Sequence, residues 1–121
     1  MQLSIQTIKA AHNRIKPYIN NTPIKSDKEI KHLVDADVYF KCENLQKSGS
    51  FKIRGATNTV LQLTSDELNR GIVTASSGNH GAALSMAVSR LGIKPKIVMP
   101  RNTPKVKINN VIRNGGQIIW W

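Results

Sequence analysis

Two short stretches of this 121-residue chain combine residue types that can do chemistry. The first is Ser76-Ser77-Gly78-Asn79-His80-Gly81, which follows a β-rich run and precedes a helical one. At a helix start, unpaired N–H groups and the positive end of the dipole bind carboxylate or phosphate. The glycines let the backbone approach such an anion, and the hydroxyls of Ser76 and Ser77 add donors. Ser and Asn also cap helices that bind nothing. The stretch alone therefore fits an anion site and a plain cap alike. It is neither a Walker loop nor G-x-G-x-x-G. The second stretch covers residues 43–56, Glu-Asn-Leu-Gln-Lys-Ser-Gly-Ser-Phe-Lys-Ile-Arg-Gly-Ala. Lys52 falls in the first turn of a predicted helix, after a polar loop over 44–50. A cation there opposes the helix dipole, the kind of local conflict that functional sites carry. A lysine held beside an aromatic residue such as Phe51 can act as nucleophile or base. Most lysines, however, are simply solvated.

The elements that must position these residues follow from periodicity. Ser4 can cap a helix with a stripe of Ile5, Ile8, Ile15 and Ile19, which Pro17 should bend or shorten. Asn21-Thr22-Pro23 reads as a turn, residues 27–34 as a short helix and 38–42 as a strand. Ile53, Ala56, Val60 and Leu63 define one face of a helix. Thr64 and Glu67 form a capping box for a short helix that Gly71 stops. A regular alternation follows. Strand 72–75 leads to a helix whose face is Leu84, Ala87, Val88 and Leu91, closed by Gly92. Strand 96–99 ends at Pro100, and a helix with Ile108, Val111 and Ile112 stops at Gly115-Gly116 before strand 117–120. This β-α-β-α-β order predicts a three-layer α/β fold with a Rossmann-like parallel sheet. Residues 76–81 then sit at the carboxyl end of a strand, where ligands bind. The strand at 38–42 has no obvious neighbour in that unit.

Composition bounds the function. Leu, Ile, Val and Phe number 32, enough for a packed core. One cysteine, Cys42, excludes an intrachain disulfide and a Cys-based zinc cluster. His12 and His32 have no second ligand nearby, so no metal site is expected. Cys42, Met86 and Met99 are expected in the interior. The start of the chain lacks the apolar run of a secretory signal. The longest charge-free stretch, 71–89, is too polar to span a bilayer. A soluble cytoplasmic protein without membrane contact is expected. The net charge is +11, and it is uneven: ten basic and seven acidic residues up to Glu67 give +3, and the rest carries eight basic residues and no acid. That asymmetry suits an anionic partner. The basic residues are scattered and no nucleic-acid motif accompanies them, so nucleic acid is not the expected partner.

Residues 43–56 resemble the cofactor-attachment segment of the serine/threonine dehydratase (threonine ammonia-lyase) and serine racemase family. These are fold-type II pyridoxal-phosphate enzymes related to the tryptophan synthase β subunit. Ser76-Ser77-Gly78-Asn79-His80 is similar to the same family's Ser-(Ser/Ala)-Gly-Asn-His signature, and Lys96-Ile-Val-Met-Pro100 and Thr22-Pro23-Ile24 match in type and order. The resemblance implies pyridoxal 5'-phosphate as cofactor and a small amino acid as substrate. It implies that Lys52 carries the cofactor and then acts as base at the substrate Cα, that Phe51 packs near the ring, and that Asn79 bonds the ring's phenolic oxygen. Ser76, Ser77, Gly78, Asn79 and His80 would line the substrate-carboxylate pocket. Ser77, alanine in some dehydratases and serine in racemases, is a second candidate acid/base. The implied reaction is conversion of L-threonine or L-serine to a 2-oxo acid and ammonia; serine racemisation and a non-catalytic remnant or interaction module are the alternatives. The family's glycine-rich phosphate cup is absent, since no Gly-Gly-Gly run occurs. The expected organisation is a strip of the large lobe over 1–50 and the small lobe over 51–121, with the rest of the large lobe missing. Ending on Ile118-Ile119-Trp120-Trp121 fits that expectation, with an apolar face left open at Val38, Phe40, Trp120 and Trp121. Association into homo-oligomers, or with a separate C-terminal portion, is expected.

Overall fold

The computed structural model describes residues 3–121. Its order is α1 (Ile5–Ile15), β1 (Ile24–Ser26), α2 (Lys28–Val34), β2 (Tyr39–Lys41), α3 (Lys52–Val60), α4 (Ser65–Asn69), β3 (Val73–Ala75), α5 (Asn79–Ser89), β4 (Lys96–Met99), α6 (Lys105–Arg113) and β5 (Gln117–Trp120). Strands β3, β4 and β5 form a parallel sheet in that order, with Ile97 opposite both Thr74 and Ile118. The predicted β-α-β-α-β run is therefore present, in a mixed α/β fold.

β4 is the central strand, which is why Ile97 and Met99 are completely buried. Ile53, Ala56 and Val60 of α3 meet Ala82, Ala83, Ala87 and Val88 of α5, and Val111 of α6 closes the cluster. Each fully buried Ile, Val or Met side chain contributes about 1.5–3 kcal/mol. The alanines let the helices approach closely. Residues 81–85 are buried in succession, so α5 is enclosed on more than the one face that its sequence suggests. Leu91, expected on that face, is exposed, because the helix ends at Ser89 and Leu91 lies in the turn before Gly92.

The amino-terminal part differs more from expectation. The strand at 38–42 does have a partner: β1 and β2 pair antiparallel, Lys25 opposite Phe40. They form a separate two-stranded sheet whose residues are all exposed. Pro17 shortens α1 as predicted, since proline cannot donate to the helix and crowds the preceding turn. The chain passes into a 3-10 turn at Lys16–Tyr18. Ile5 and Ile8 are exposed and only Ile15 of that helix is buried, so the apolar stripe is covered at one end alone. Cys42 and Met86 are half-buried rather than interior. Phe40, Trp120 and Trp121 are exposed, the last by 84 %, whereas Val38 is half-buried. No described helix is long and apolar enough to cross a membrane. No described cluster of His, Cys, Asp and Glu could hold a metal ion.

Candidate active site

Lys52 is the first residue of α3, and its neighbour Phe51 is the N-cap, with no side-chain capping bond. The preceding loop is pinned. Gln46, buried, accepts the Asn20 N–H at 3.0 Å and donates Nε2–H to the Asn20 carbonyl at 2.6 Å. The Gly49 N–H then closes on the Gln46 carbonyl at 2.8 Å with φ +77°, a left-handed turn that favours glycine. Out of this turn the Lys52 ammonium stands 4.9 Å from the centroid of the Phe51 ring, within cation–π range. Lys52 has no ion-pair partner among the described residues.

The Ser-Ser-Gly-Asn-His loop joins β3 to α5. The Ser76 N–H is tied to the Val98 carbonyl of β4. Its Oγ accepts the N–H groups of Gly78 at 3.3 Å and Gly81 at 3.0 Å. Ser76 therefore shapes the loop as a cap. The N–H groups of Ser77, Asn79 and His80 have no acceptor among the described residues. Three free donors at the positive end of an eleven-residue helix are matched to an anionic group such as a carboxylate. The side chains of Ser77, Asn79 and His80 are exposed beside them, while Ser76 and Gly78 are half-buried.

Phe51, Lys52 and His80 line one cavity of about 830 Å³, with Thr74, Leu84 and the open edge of β3. The structure thus brings the two motifs together through Lys52 and His80. Ser76, Ser77, Gly78 and Asn79 lie outside that lining, in the adjoining loop.

Two neighbouring residues went unrecognised in the sequence. Lys107 of α6 lies against Gly78: a Cβ built there would meet its Cδ and Nζ at 3.6 Å. It adds positive charge to the start of α5, and only its distance from any acid in the sequence hinted at this. Arg54 forms a two-point ion pair with Glu43, at 2.7 and 2.8 Å. That hydrogen bonding is the largest influence on Glu43 and holds its carboxyl below the usual 4.5; burial opposes the shift, and the Thr22 hydroxyl and the charges of Arg54 and Lys41 reinforce it. A depressed carboxyl contributes stability that is complete above its unfolded value and is lost as pH falls through the folded one. The melting temperature of the chain should therefore drop below about pH 4.5, and Glu43→Gln should flatten that drop. Parallel acid limbs for the two proteins would refute this coupling.

Residues 15–121 match the family model described as pyridoxal-phosphate dependent enzyme. The chain is 51 % identical over 116 residues to serine racemase of Arabidopsis thaliana, covering 96 % of this chain and 35 % of that protein. It is 48 % identical to the β-hydroxyaspartate dehydratase of Paracoccus denitrificans, covering 90 % and 35 %. Among solved structures, maize serine racemase superposes with a TM-score of 0.93 at 45 % identity, covering 99 % of this chain and 36 % of that one. The chain spans about a third of the length of these relatives. Since the match spans residues 15–121, a range that includes the Lys52 segment, the Ser-Ser-Gly-Asn-His loop and the parallel sheet, the chain belongs to the family of pyridoxal-phosphate-dependent enzymes.

Proposed function

We propose that the protein containing this chain removes the Cα proton of a small 3-hydroxy amino acid, L-serine or L-threonine. Loss of the β-hydroxyl as water, then hydrolysis, gives a 2-oxo acid and ammonia. The observation that carries this reading is Lys52: an exposed amine without a carboxylate partner among the described residues, opening on the cavity that His80 also borders. These residues fit the cofactor. An amine is the group that bonds its aldehyde, and about 830 Å³ lies within the roughly 300–1,000 Å³ of small-molecule pockets. Pyridoxal phosphate, when bound, supplies the electron sink that makes a Cα proton removable. Lys52 would hold it and then take the proton, with Phe51 packing against the ring and Asn79 donating to the ring oxygen. Ser76, Ser77, Gly78, Asn79 and His80 would fix the substrate carboxylate, the free N–H groups at the start of α5 supplying donors.

A second reading is racemisation of serine. It is favoured by the exposed Ser77 hydroxyl, which would supply a proton on the face opposite Lys52, and by the similarity to serine racemases. The two separate on incubating the complete protein with L-serine and L-threonine. Release of 2-oxo acid and ammonia supports elimination. Accumulation of D-serine without oxo acid overturns it in favour of racemisation. If both products form, Ser77→Ala should abolish D-serine and leave oxo acid release within about threefold, as a one-face base predicts.

A further inference from the structure

Lys107 is the third residue of α6, and its side chain crosses to the loop that opens α5. A Cβ built at Gly78 would meet its Cδ and Nζ at 3.6 Å and its Cε at 3.8 Å. The end of the lysine side chain therefore lies along the open face of Gly78. Gly78 sits between Ser77 and the Asn79-His80 pair, and the N–H groups of those three residues have no acceptor among the described residues. The ammonium and the free donors thus share one corner, at the carboxyl ends of the paired strands β3 and β4.

That corner carries positive charge without an offset. The start of α5 is the positive end of an eleven-residue helix, and Lys107 lies in the first turn of α6, the positive end of a nine-residue one. Neither first turn holds an acidic residue. No acid follows Glu67 in the sequence, and Lys107 has no ion-pair partner among the described residues. A cation set against two helix starts is a local conflict of the kind functional sites carry. An anion settling between the ammonium and the N–H groups turns the repulsion into attraction. The lysine side chain is exposed and flexible, so it can follow such a ligand. Charge-assisted bonds of about 2.7–2.9 Å then reach one carboxylate from both sides.

We propose that Lys107 is a binding residue for the substrate carboxylate, supplied by α6 to the free N–H groups at the start of α5. One carboxylate oxygen takes the ammonium and the other takes the backbone donors. The inference rests on the reading of the Ser-Ser-Gly-Asn-His loop as the carboxylate-binding segment. A full charge added to neutral donors makes the site select an ionised carboxylate over a neutral amide of the same shape.

The test follows the backbone amide signals of Ser77, Asn79 and His80 by NMR while the isotope-labelled chain is titrated with acetate at constant ionic strength. Lys107→Gln, Lys107→Arg and Lys96→Gln are compared with wild type. Lys96 is the control, an exposed lysine at the amino end of β4, away from the loop. Lys107→Gln should raise the acetate Kd at least about fivefold, as loss of a charged hydrogen-bond partner predicts. Lys107→Arg should stay within about twofold of wild type, because the charge is kept. Lys96→Gln should leave the Kd unchanged. Acetamide, the neutral isostere, should bind more weakly than acetate and show no dependence on Lys107. A wild-type Kd in Lys107→Gln overturns the proposal. An equal loss in Lys96→Gln overturns it too, since overall charge then accounts for the effect. A loss in Lys107→Arg as large as in Lys107→Gln overturns the charge role in favour of packing on Gly78. Inorganic phosphate is run in parallel: signals that move with phosphate and not with acetate overturn the assignment to a carboxylate. If neither anion moves any of the three signals in wild type, the loop reading fails and this proposal with it. If acetate moves them alike in wild type and Lys107→Gln, the loop reading stands and the assignment of Lys107 alone falls.

Discussion

Lys52→Ala removes the absorbance band that pyridoxal phosphate forms with the chain at substoichiometric cofactor. Twelve lysines compete for the aldehyde, so the difference between the two proteins is the informative quantity. Lys52 should win for three reasons. It opens on a cavity of about 830 Å³, its ammonium lies 4.9 Å from the Phe51 ring centroid, and no described carboxylate holds it. Exposed lysines elsewhere gain solvent, not a cavity, when they react. The expected loss is near-complete at low cofactor and partial when excess cofactor labels the surface. Affinity should be weak, because no Gly-Gly-Gly run is present to cradle the phosphate. An equal band in the variant at all cofactor concentrations would sink the assignment of Lys52.

Gly116→Ala should be strongly destabilising. A Cβ at Gly116 would lie 2.3 Å from Ser85 Oγ, 2.8 Å from Val111 Cγ1 and 3.2 Å from Ile97 Cγ1. None of these groups has room to yield. Val111 and Ile97 are completely buried, and the equally buried Ser85 hydroxyl is held by the Gly81 carbonyl at 2.7 Å. Overpacking of this kind costs about 1–3 kcal/mol, and the simultaneous contact with three elements places it at the upper end. Urea denaturation should show a lower midpoint with an unchanged slope. Gly55→Ala is the contrasting case. Nothing lies within 4 Å of a Cβ there, and the residue is inside α3, so the same methyl should stabilise by about 0.5–1 kcal/mol. If Gly116→Ala unfolds no more readily than Gly55→Ala, the packing at the β5 entry is looser than described.

The parallel sheet was legible because each of its strands is bounded by a glycine or proline and separated by a helical period. Lys52 and the Ser-Ser-Gly-Asn-His loop stood out through their resemblance to two family motifs; by residue type alone they fitted a solvated lysine and a plain helix cap equally well. β1 was not: Ile-Lys-Ser is too short for an alternation to register, and it reveals itself only by its partner β2. The exposure of Ile5 and Ile8 was equally hidden, since periodicity reports a face and not what covers it. Glu43, Arg54 and Thr22 are far apart in the chain, and no local pattern announces a node built across such separations. The same holds for Lys107 against Gly78, which requires α5 and α6 to be packed first.

The strand order β3-β4-β5 follows the chain, with Val73 opposite Lys96 and Lys96 opposite Gln117. Each parallel pairing thus closes a segment of only about twenty residues, and closure entropy grows slowly with such lengths. β1 and β2 are comparably close in the chain. Parallel sheets are usually slow to assemble because distant strands must find one another. Here each strand can dock on the one made just before it, with the intervening helix closing over the join. Assembly can then keep pace with synthesis at the ribosome, strand by strand, and Lys52 lies ahead of the whole sequence of docking steps.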